Sequence, residues 1–324
     1  MKYRVKSIFA FFLVFCCIMS GCAQKNADAP KALNQSETTA GALSAPGRVK
    51  SAADSSQALD QSQAVQERYT KISFPSTVLN KNMNVNIYLP EGYSKDKKYP
   101  VLYLIHGYTA TEDTWMPDLE ADKKADDLIK KNEIDPLIIV APRVDDSYAI
   151  NSAKVTGETG SPSDKYNTGM YEDYFCKELI PYIDKNYSTI SGKEGRYLGG
   201  MSMGGWSALY LAFTHTDLFS KVGGHSPAIF LDGYPGSAMT FVYPTEELRN
   251  ERDPLRLAQN KNLAGLKVYL DCGDQDGCTR GCDRLIAILK SKGVDSQYHL
   301  NKGDHDNAYW GANVESYLKF YAGK

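Results

Sequence analysis

The spacing of apolar residues along the chain predicts two kinds of β-strand. Apolar and polar positions alternate in residues 69–77 and 83–89, with Val85, Ile87 and Leu89 sharing one side of the second segment. Such alternation is typical of strands with one buried face, so we expect an antiparallel pair. Near-continuous apolar runs, typical of strands buried on both faces of a parallel sheet, follow at residues 99–105, 137–140, 197–201, 221–224, 267–270 and 297–300.

Helical spacing separates these strands, at residues 119–131, 171–185, 203–214, 280–292 and 307–321. Regular alternation of strands and helices predicts βαβ crossovers, and therefore an α/β fold with a doubly wound, mostly parallel sheet and antiparallel N-terminal strands. Two connections are long, residues 143–170 and 226–263. Both leave the carboxyl ends of strands, where open α/β sheets bind their ligands, so we expect these loops to border a functional site.

The first residues show the pattern of an export signal. A basic segment precedes an apolar stretch at residues 8–19, which is too short to cross a bilayer as a stable helix and is typical of a signal peptide. It ends in Met-Ser-Gly-Cys22, which resembles the lipobox of bacterial lipoproteins, although Leu usually stands at the place of Met19. We therefore expect residues 1–22 to direct export and Cys22 to carry a membrane-anchoring lipid. Cleavage beside Ala23 without a lipid, giving an extracellular protein, is the alternative.

Residues 23–66 and 67–324 differ in composition. The first segment is mostly Ala, Ser, Gln, Thr, Asp and Lys without apolar periodicity. It buries too little apolar surface to offset the entropy of ordering, so we expect a flexible linker. The second segment has the length of a single α/β domain. The formal net charge of −2 shows no basic bias, which argues against nucleic acid as a partner.

The most specific motif is Gly200-Met201-Ser202-Met203-Gly204, between a predicted strand and a predicted helix. This is the context of a nucleophile elbow, a sharp turn that exposes a serine hydroxyl. Glycines at both ends of the motif would remove side chains that collide across such a turn. The helix that begins at Met203 would direct free N–H groups toward the negative charge that develops in acyl transfer. Ser202 is therefore the candidate nucleophile.

A serine hydroxyl needs a base to take its proton. In this architecture the order along the chain is serine, acid, histidine, and three histidines follow the elbow helix. His299 lies inside a predicted strand, where core packing is its expected role. His225 follows a strand end and could line the site. His305 lies between the last predicted strand and the last helix, where the fold places its base, so His305 is the candidate base.

The acid is expected after the strand at residues 267–270, where Asp271, Asp274 and Asp276 are available. Asp271 is close to the strand end, and we expect it to be structural. The loop must reach across to the imidazole, which favours Asp274 or Asp276 without deciding between them. The carboxylate would fix the histidine tautomer and stabilise the imidazolium.

An oxyanion hole needs two N–H groups. Met203, directly after the nucleophile, is expected to supply one, and Tyr108, in the loop after His106 and Gly107, the other. The His-Gly pair also suits a tight exit from the strand, and the two roles are compatible.

Four cysteines lie in the predicted domain: Cys176, Cys272, Cys278 and Cys282. Their spacing matches no zinc pattern with the required histidines. An exported protein can form disulfides, and Cys278 with Cys282 or Cys272 with Cys278 are conceivable pairs, but free buried thiols fit equally well. The aspartates of this region resemble a calcium loop, yet Cys272 occupies the first ligand position. We therefore predict neither a metal site nor a need for a cofactor.

At these residues the chain resembles the esterase D-like family of α/β-hydrolases, which includes feruloyl, acetylxylan and enterochelin esterases, formylglutathione hydrolases and mycolyltransferases. The similar segments are YPVLYLIHGYTATEDTW, APR at 141–143, YEDYFCKELIPYIDKNY, RYLGGMSMGGWSALYLAF and GDHDNAYW. The feruloyl esterase branch is the most similar. There the acid stands in a segment like CGDQD, whose last aspartate matches Asp276, and the base matches His305. The resemblance also implies a fold without a large lid.

The resemblance implies a cell-surface serine carboxylesterase that removes feruloyl or acetyl groups from plant polysaccharide through Ser202, Asp276 and His305. Three tryptophans would either line the cleft or pack in the core: Trp115, Trp206 and Trp310. A siderophore esterase of the enterochelin type and an acyltransferase acting on cell-envelope sugars are the alternative enzymes. A surface binding protein on a hydrolase fold is the alternative of another class, but it would be expected to lack one member of the triad.

Overall fold

The computed structural model describes residues 68–152, 165–232 and 236–324. The expected signal segment with Cys22 and the linker lie outside these residues. The strands are β1 (Tyr69–Ser76), β2 (Lys81–Tyr88), β3 (Val101–Ile105), β4 (Ile138–Pro142), β5 (Arg196–Met201), β6 (Lys221–His225), β7 (Lys267–Gly273) and β8 (Ser296–Asn301). They form one sheet in the spatial order β1-β2-β4-β3-β5-β6-β7-β8.

Antiparallel pairing is confined to the first strands. β1 pairs with β2 and β2 pairs with β4 in antiparallel fashion, whereas every pair from β4 to β8 is parallel. The apolar runs form the interior of the sheet, since β3 and β4 are buried at every residue. β1, at the edge, keeps exposed positions. The predicted α/β fold, with its mostly parallel sheet and antiparallel first strands, is confirmed.

Helices cover both faces of the sheet. They are α1 (Ala121–Lys130), α2 (Tyr171–Asp173), α3 (Ile180–Asn186), α4 (Met203–Thr214), α5 (Ser237–Val242), α6 (Glu246–Arg252), α7 (Pro254–Asn260), α8 (Thr279–Ser291) and α9 (Asn307–Ala322). A π-helical segment, Tyr174–Leu179, lies between α2 and α3. α1 and α9 pack on one face, and α3, α4, α7 and α8 pack on the other. Within the described ranges, no helix combines the length and the apolar character needed to span a membrane.

The connection at 226–263 contains helices where the sequence suggested only a long loop. Helix α6 is capped by Thr245, whose side chain accepts the Leu248 N–H. Helix α7 begins at Pro254, and Asp253 caps it by accepting the Leu255 N–H. Proline is well tolerated at that position because its missing N–H would have no partner there. One of the prolines that suggested a loop, Pro254, therefore begins a helix. This helix, α7, packs against α4 and α8 as part of the helical layer.

The prediction that His299 packs in the core is wrong, because β8 is the edge strand of the sheet. The side chain of His299 is exposed and stacks on Tyr269, with ring centroids 4.9 Å apart. Leu300, the next residue, is 57% exposed. An apolar run does not reveal whether a strand has one neighbour or two, and this strand has one.

Candidate active site

Ser202 lies at a sharp turn between β5 and α4, with φ 53° and ψ −115°. A residue with a side chain rarely adopts a positive φ, so the turn is strained. Flanking glycines make the turn possible. A Cβ atom on Gly200 would lie 2.3 Å from the Gly204 carbonyl oxygen, and one on Gly204 would lie 2.3 Å from the Ile105 carbonyl oxygen. The backbone therefore has the geometry of a nucleophile elbow.

His305, in the loop between β8 and α9, joins the serine to an acid. Its Nε2 lies 2.8 Å from the Ser202 hydroxyl oxygen, and its Nδ1 lies 2.8 Å from Oδ2 of Asp276. An ionised carboxylate can only accept a hydrogen bond, so Nδ1 carries the proton and donates a hydrogen bond to Asp276. A neutral ring in this tautomer leaves Nε2 free to accept the Ser202 O–H. The geometry is that of a base oriented toward a nucleophile by an acid.

Asp276 is buried in the loop after β7 and is held as an anion. Its Oδ1 accepts the Cys278 N–H at 2.7 Å. Burial raises the pKa of Asp276, but the hydrogen bonds from His305 and from the Cys278 backbone outweigh burial and hold this pKa well below its usual range. Asp274, the other candidate, instead accepts the Gly303 N–H at 3.1 Å. Asp274 thus fastens the loop that carries the histidine to the loop that carries the acid.

Of the two residues expected to form an oxyanion hole, Met203 adjoins Ser202 and Tyr108 follows a residue that lies beside it. Met203 is the first residue of α4, directly after the serine. Tyr108 follows Gly107, and a Cβ atom built on Gly107 would lie 3.7 Å from Cβ of Ser202. The main chain that leaves β3 therefore passes beside the nucleophile, as donors of an oxyanion hole must.

Two side chains hold the loop that contains Tyr108. His106 is fully buried; its Nδ1 donates to the Gly107 carbonyl at 2.8 Å and its Nε2 accepts the Val144 N–H at 3.1 Å. Burial lowers the pKa of His106 to about 4, so the ring is neutral at pH 7. Asp146 accepts the Thr109 N–H at 2.6 Å. Sequence reasoning missed Asp146, because the polar connection at 143–170 has no periodicity that would place it.

A second histidine–aspartate pair lies beneath the elbow. His225 and Asp271 are both fully buried, and Nδ1 of the ring lies 2.8 Å from Oδ1 of the carboxylate. The other carboxylate oxygen accepts the hydroxyl groups of Tyr309 and Tyr317 at 2.6 and 2.8 Å. The His225 side chain therefore does not line the cleft, but its carbonyl oxygen accepts the Ser202 N–H at 2.9 Å. Asp271 is structural, as the sequence indicated.

Of the three candidate tryptophans, Trp310 lies beside the reactive groups, with its ring centroid 5.0 Å from that of His305. Trp115 and Trp206 are at most 1% exposed. Their indole N–H groups donate to the Ile105 carbonyl and the Tyr243 hydroxyl, each at 3.0 Å. Of the two roles that the sequence left open, these two tryptophans therefore pack in the core and do not line the cleft.

An aromatic cluster borders the elbow and is called the aromatic wall below; its members are Tyr108, Tyr148, Tyr166, Phe230 and Phe241. Tyr148 lies 5.4 Å from Trp206, in the first turn of α4. The rings of Tyr166 and Phe241 stack with centroids 4.9 Å apart. Tyr148 and Phe230 are buried, whereas the other three rings are partly or fully accessible. The residues of the wall come from both long connections and from the segment that follows β3.

The four cysteines of the described part are free thiols, so neither conceivable disulfide is formed. Sγ of Cys278 lies 3.8 Å from Nδ1 of His305. Burial raises the pKa of Cys278, so its thiol is protonated at neutral pH.

A serine elbow after the fifth strand of a mostly parallel sheet, with the acid and the histidine on later loops, defines the class of the protein: it has the α/β-hydrolase fold. The model of the Esterase family matches residues 76–321. The chain belongs to this family, and the resemblance to the esterase D-like feruloyl esterases is confirmed.

Similar proteins agree with this classification. A protein named endo-1,4-beta-xylanase/feruloyl esterase, from Xylanibacter ruminicola, is 27% identical over 246 residues, which cover 74% of this chain and 29% of the relative. A solved ferulic acid esterase superposes with a TM-score of 0.67 at 25% identity, covering 79% of this chain and 98% of the other. A ferulic acid esterase from Anaeromyces mucronatus, solved with ferulic acid, gives a TM-score of 0.61 at 25% identity, with 80% and 91% covered.

The extent of these matches differs. The chain spans less than a third of the length of three curated relatives that it matches. In contrast, it covers nearly all of the two solved esterase structures.

Proposed function

We propose that this protein is a serine carboxylesterase whose catalytic triad is Ser202, His305 and Asp276. One observation supports this above all: a continuous hydrogen-bonded line runs from the serine through both ring nitrogens to the carboxylate, each contact measuring 2.8 Å. A serine in contact with a neutral imidazole is activated, because the base can take its proton as the new bond forms. Membership of the Esterase family supports the same reaction class.

The geometry suits a two-step reaction through an acyl-enzyme. Oγ of Ser202 attacks the ester carbonyl carbon while Nε2 of His305 takes the hydroxyl proton. Asp276, already ionised, stabilises the imidazolium that forms. The N–H groups of Met203 and Tyr108 donate to the oxyanion. The imidazolium then returns its proton to the leaving alcohol, and water attacks the acyl-enzyme by the same route to release the acid.

The acyl group that suits the site best is a hydroxycinnamoyl group, such as ferulate, esterified to a plant polysaccharide. The aromatic wall supports this choice, because ring pairs contribute about 0.5 to 1.5 kcal/mol beyond the area they bury. The accessible rings of Tyr108, Tyr166 and Phe241 belong to this wall, which reaches the first turn of α4 through the contact of Tyr148 with Trp206. Relatives named feruloyl or ferulic acid esterase support the same substrate class. An acetyl group would use none of these contacts.

Hydrolysis of methyl ferulate, p-nitrophenyl acetate and acetylated xylan by the full-length protein tests the chemistry. We expect Ser202→Ala to lower kcat by about a millionfold, as loss of the nucleophile does in a serine protease. Unchanged thermal unfolding of the variant would show that the loss is chemical. A parent protein that is inactive on every ester but binds polysaccharide would contradict the proposal and favour the surface binding protein.

Phe241→Ala tests the acyl group. Loss of this ring should lower kcat/KM for methyl ferulate by about two- to tenfold and leave p-nitrophenyl acetate hydrolysis unchanged. Phe320→Ala is the matched control, because Phe320 is also half-buried but packs on the opposite face of the sheet. Equal effects of Phe241→Ala on both substrates would contradict an aromatic acyl group. Acyl transfer to an added sugar would identify an acyltransferase instead.

We propose in addition that the protein is exported and anchored to the membrane through Cys22. The basic segment, the apolar stretch and the Met-Ser-Gly-Cys sequence of residues 1–22 support this. In a bacterial host, Cys22→Ala should abolish incorporation of labelled palmitate and release the protein from the membrane fraction. Incorporation that survives the substitution would contradict the anchor.

A further inference from the structure

Three different metal-ligating side chains meet on the acid side of His305. A carboxylate oxygen of Asp276, Sγ of Cys278 and Nδ1 of His305 all lie within 4.8 Å of one another. Sγ is 3.8 Å and Oδ2 of Asp276 is 2.8 Å from Nδ1. A tetrahedral zinc ion with its usual bond lengths holds sulfur, nitrogen and oxygen ligands about 3.3 to 3.6 Å apart. Small movements of the side chains would bring these atoms to those separations.

We propose that Asp276, Cys278 and His305 form an inhibitory site for a divalent cation of the zinc class. One thiolate and one carboxylate balance the charge of the ion, and thiolate and imidazole are ligands that zinc prefers. Cys278 is half-buried and the His305 ring is partly exposed, so water can supply the fourth ligand. Coordination deprotonates a thiol, and each bound ion therefore releases the Cys278 proton to solvent.

A cation at this site removes the catalytic base. In the free protein the imidazole proton is on Nδ1, and Nε2 accepts the Ser202 O–H. A cation on Nδ1 takes the lone pair of that nitrogen, so the neutral ring carries its proton on Nε2. Nε2 then donates and cannot take the proton of Ser202. The cation lies on the side of the ring away from the serine, so we expect kcat to fall with little change in KM.

Cation binding at this site is measurable without ester hydrolysis, so it can be tested apart from the proposed function. Co²⁺ is the probe, since thiolate ligation produces a charge-transfer absorption band. Full-length protein with Ser202→Ala should develop this band with CoCl₂ and lose it when excess ZnCl₂ is added. Adding Cys278→Ser should abolish the band. Cys176→Ser is the matched control, because Cys176 is also a half-buried free thiol, and its loss should leave the band unchanged.

Inhibition gives the second readout, with each protein compared with its own zinc-free rate on p-nitrophenyl acetate. Cys278→Ser should raise the half-inhibiting ZnCl₂ concentration by at least about tenfold, since even the outer partners of a metal ligand change affinity by that factor. MgCl₂ at the same concentration should not inhibit hydrolysis, because magnesium prefers oxygen ligands. A chelator should restore the rate.

The proposed site would be wrong if Ser202→Ala protein showed no cobalt band, or if the band persisted after Cys278→Ser was added. Equal inhibition of the parent protein and of Cys278→Ser by zinc would also overturn it. Should Cys278→Ser fail to fold, Cys278→Ala replaces it, and absence of the parent's band remains decisive alone. A parent protein that shows the band but hydrolyses no ester would contradict the proposed function and leave the cation site standing.

Discussion

Two histidine–aspartate pairs in this molecule have the same separation and opposite surroundings. In each, Nδ1 of the histidine lies 2.8 Å from an aspartate oxygen. His305 and Asp276 lie on loops beyond β8 and β7, and the His305 side chain is 33% exposed. His225 ends β6, Asp271 lies within β7, and neither side chain is exposed at all.

The atom that faces the second ring nitrogen distinguishes the two pairs. Nε2 of His305 faces the Ser202 hydroxyl, which is able to attack a substrate. Nε2 of His225 lies 3.3 Å from the Tyr321 hydroxyl, and its ring stacks on Tyr317 with centroids 3.6 Å apart. A ring enclosed in this way reaches no substrate. The buried pair supports the elbow from below, while the exposed pair is placed to act on the serine.

Among changes to the two pairs, Asp276→Asn should have the largest effect on activity, since it breaks the exposed pair. An amide can present its N–H to Nδ1 and so favour the wrong tautomer, and the same change in a serine protease lowers kcat about 10⁴-fold. Steady-state kinetics on p-nitrophenyl acetate measures the loss. Asp274→Asn, two residues earlier, is the control and should keep most of the parent's kcat, because this carboxylate accepts the Gly303 N–H and not the His305 ring. Similar kinetics for both variants would mean that Asp276 is not the acid.

Asp271→Ala should act on stability instead. It leaves His225 and the hydroxyls of Tyr309 and Tyr317 buried without their acceptor, and breaking a buried pair costs about 3 to 5 kcal/mol. Urea denaturation measures the free energy of unfolding, and kcat per folded molecule should stay close to that of the parent, because Asp271 bonds buried groups and not His305. If the variant instead had normal stability and a kcat about 10⁴-fold lower, the buried pair and not the exposed one would be catalytic.

His106 is a third buried case, enclosed like His225 but bonded to two backbone groups instead of a carboxylate. Burial lowers its pKa to about 4, against about 6.5 for an unfolded chain. As pH falls, the unfolded state binds this proton first, so stability falls between about pH 6.5 and about pH 4, by about 3 kcal/mol. His106→Asn should reduce the stability difference between pH 7 and pH 4 by that amount. An undiminished difference would show that His106 is not the group responsible.

Trp310→Leu should have the smallest effect. Its ring contacts His305 edge-on, and such contacts contribute about 0.5 to 1.5 kcal/mol, which corresponds to about two- to tenfold in kcat. The loss should appear in kcat on p-nitrophenyl acetate with thermal unfolding little changed. An unchanged kcat would show that the ring does not help to orient the histidine.

Much of the fold was predictable because its determinants are local. The alternation at residues 83–89 and the apolar run of β3 arise from side-chain direction along a strand, and both strands are present. The helix after the elbow begins and ends at the predicted residues, 203 and 214. The elbow itself is a local motif, in which Gly200 and Gly204 are required by the turn.

The aromatic wall and the two histidine–aspartate pairs depend on tertiary structure. Position along the chain left Asp274 and Asp276 undecided until family resemblance favoured Asp276, and only the folded loop brings its carboxylate within 2.8 Å of His305. Asp146 and Phe241 lie in connections without periodicity, so no local pattern places them beside the elbow.

The sequence by itself therefore determined the α/β class, most of the strands and helices, the elbow and the candidate base, since these follow from hydrophobic periodicity and short motifs. Tertiary structure decided which apolar or polar residues are enclosed. His299 is exposed on the edge strand β8. Trp115 and Trp206 are enclosed by residues from distant segments, among them Tyr317 and Tyr243. Burial depends on what packs against a residue from distant parts of the chain, and the local sequence does not contain that information.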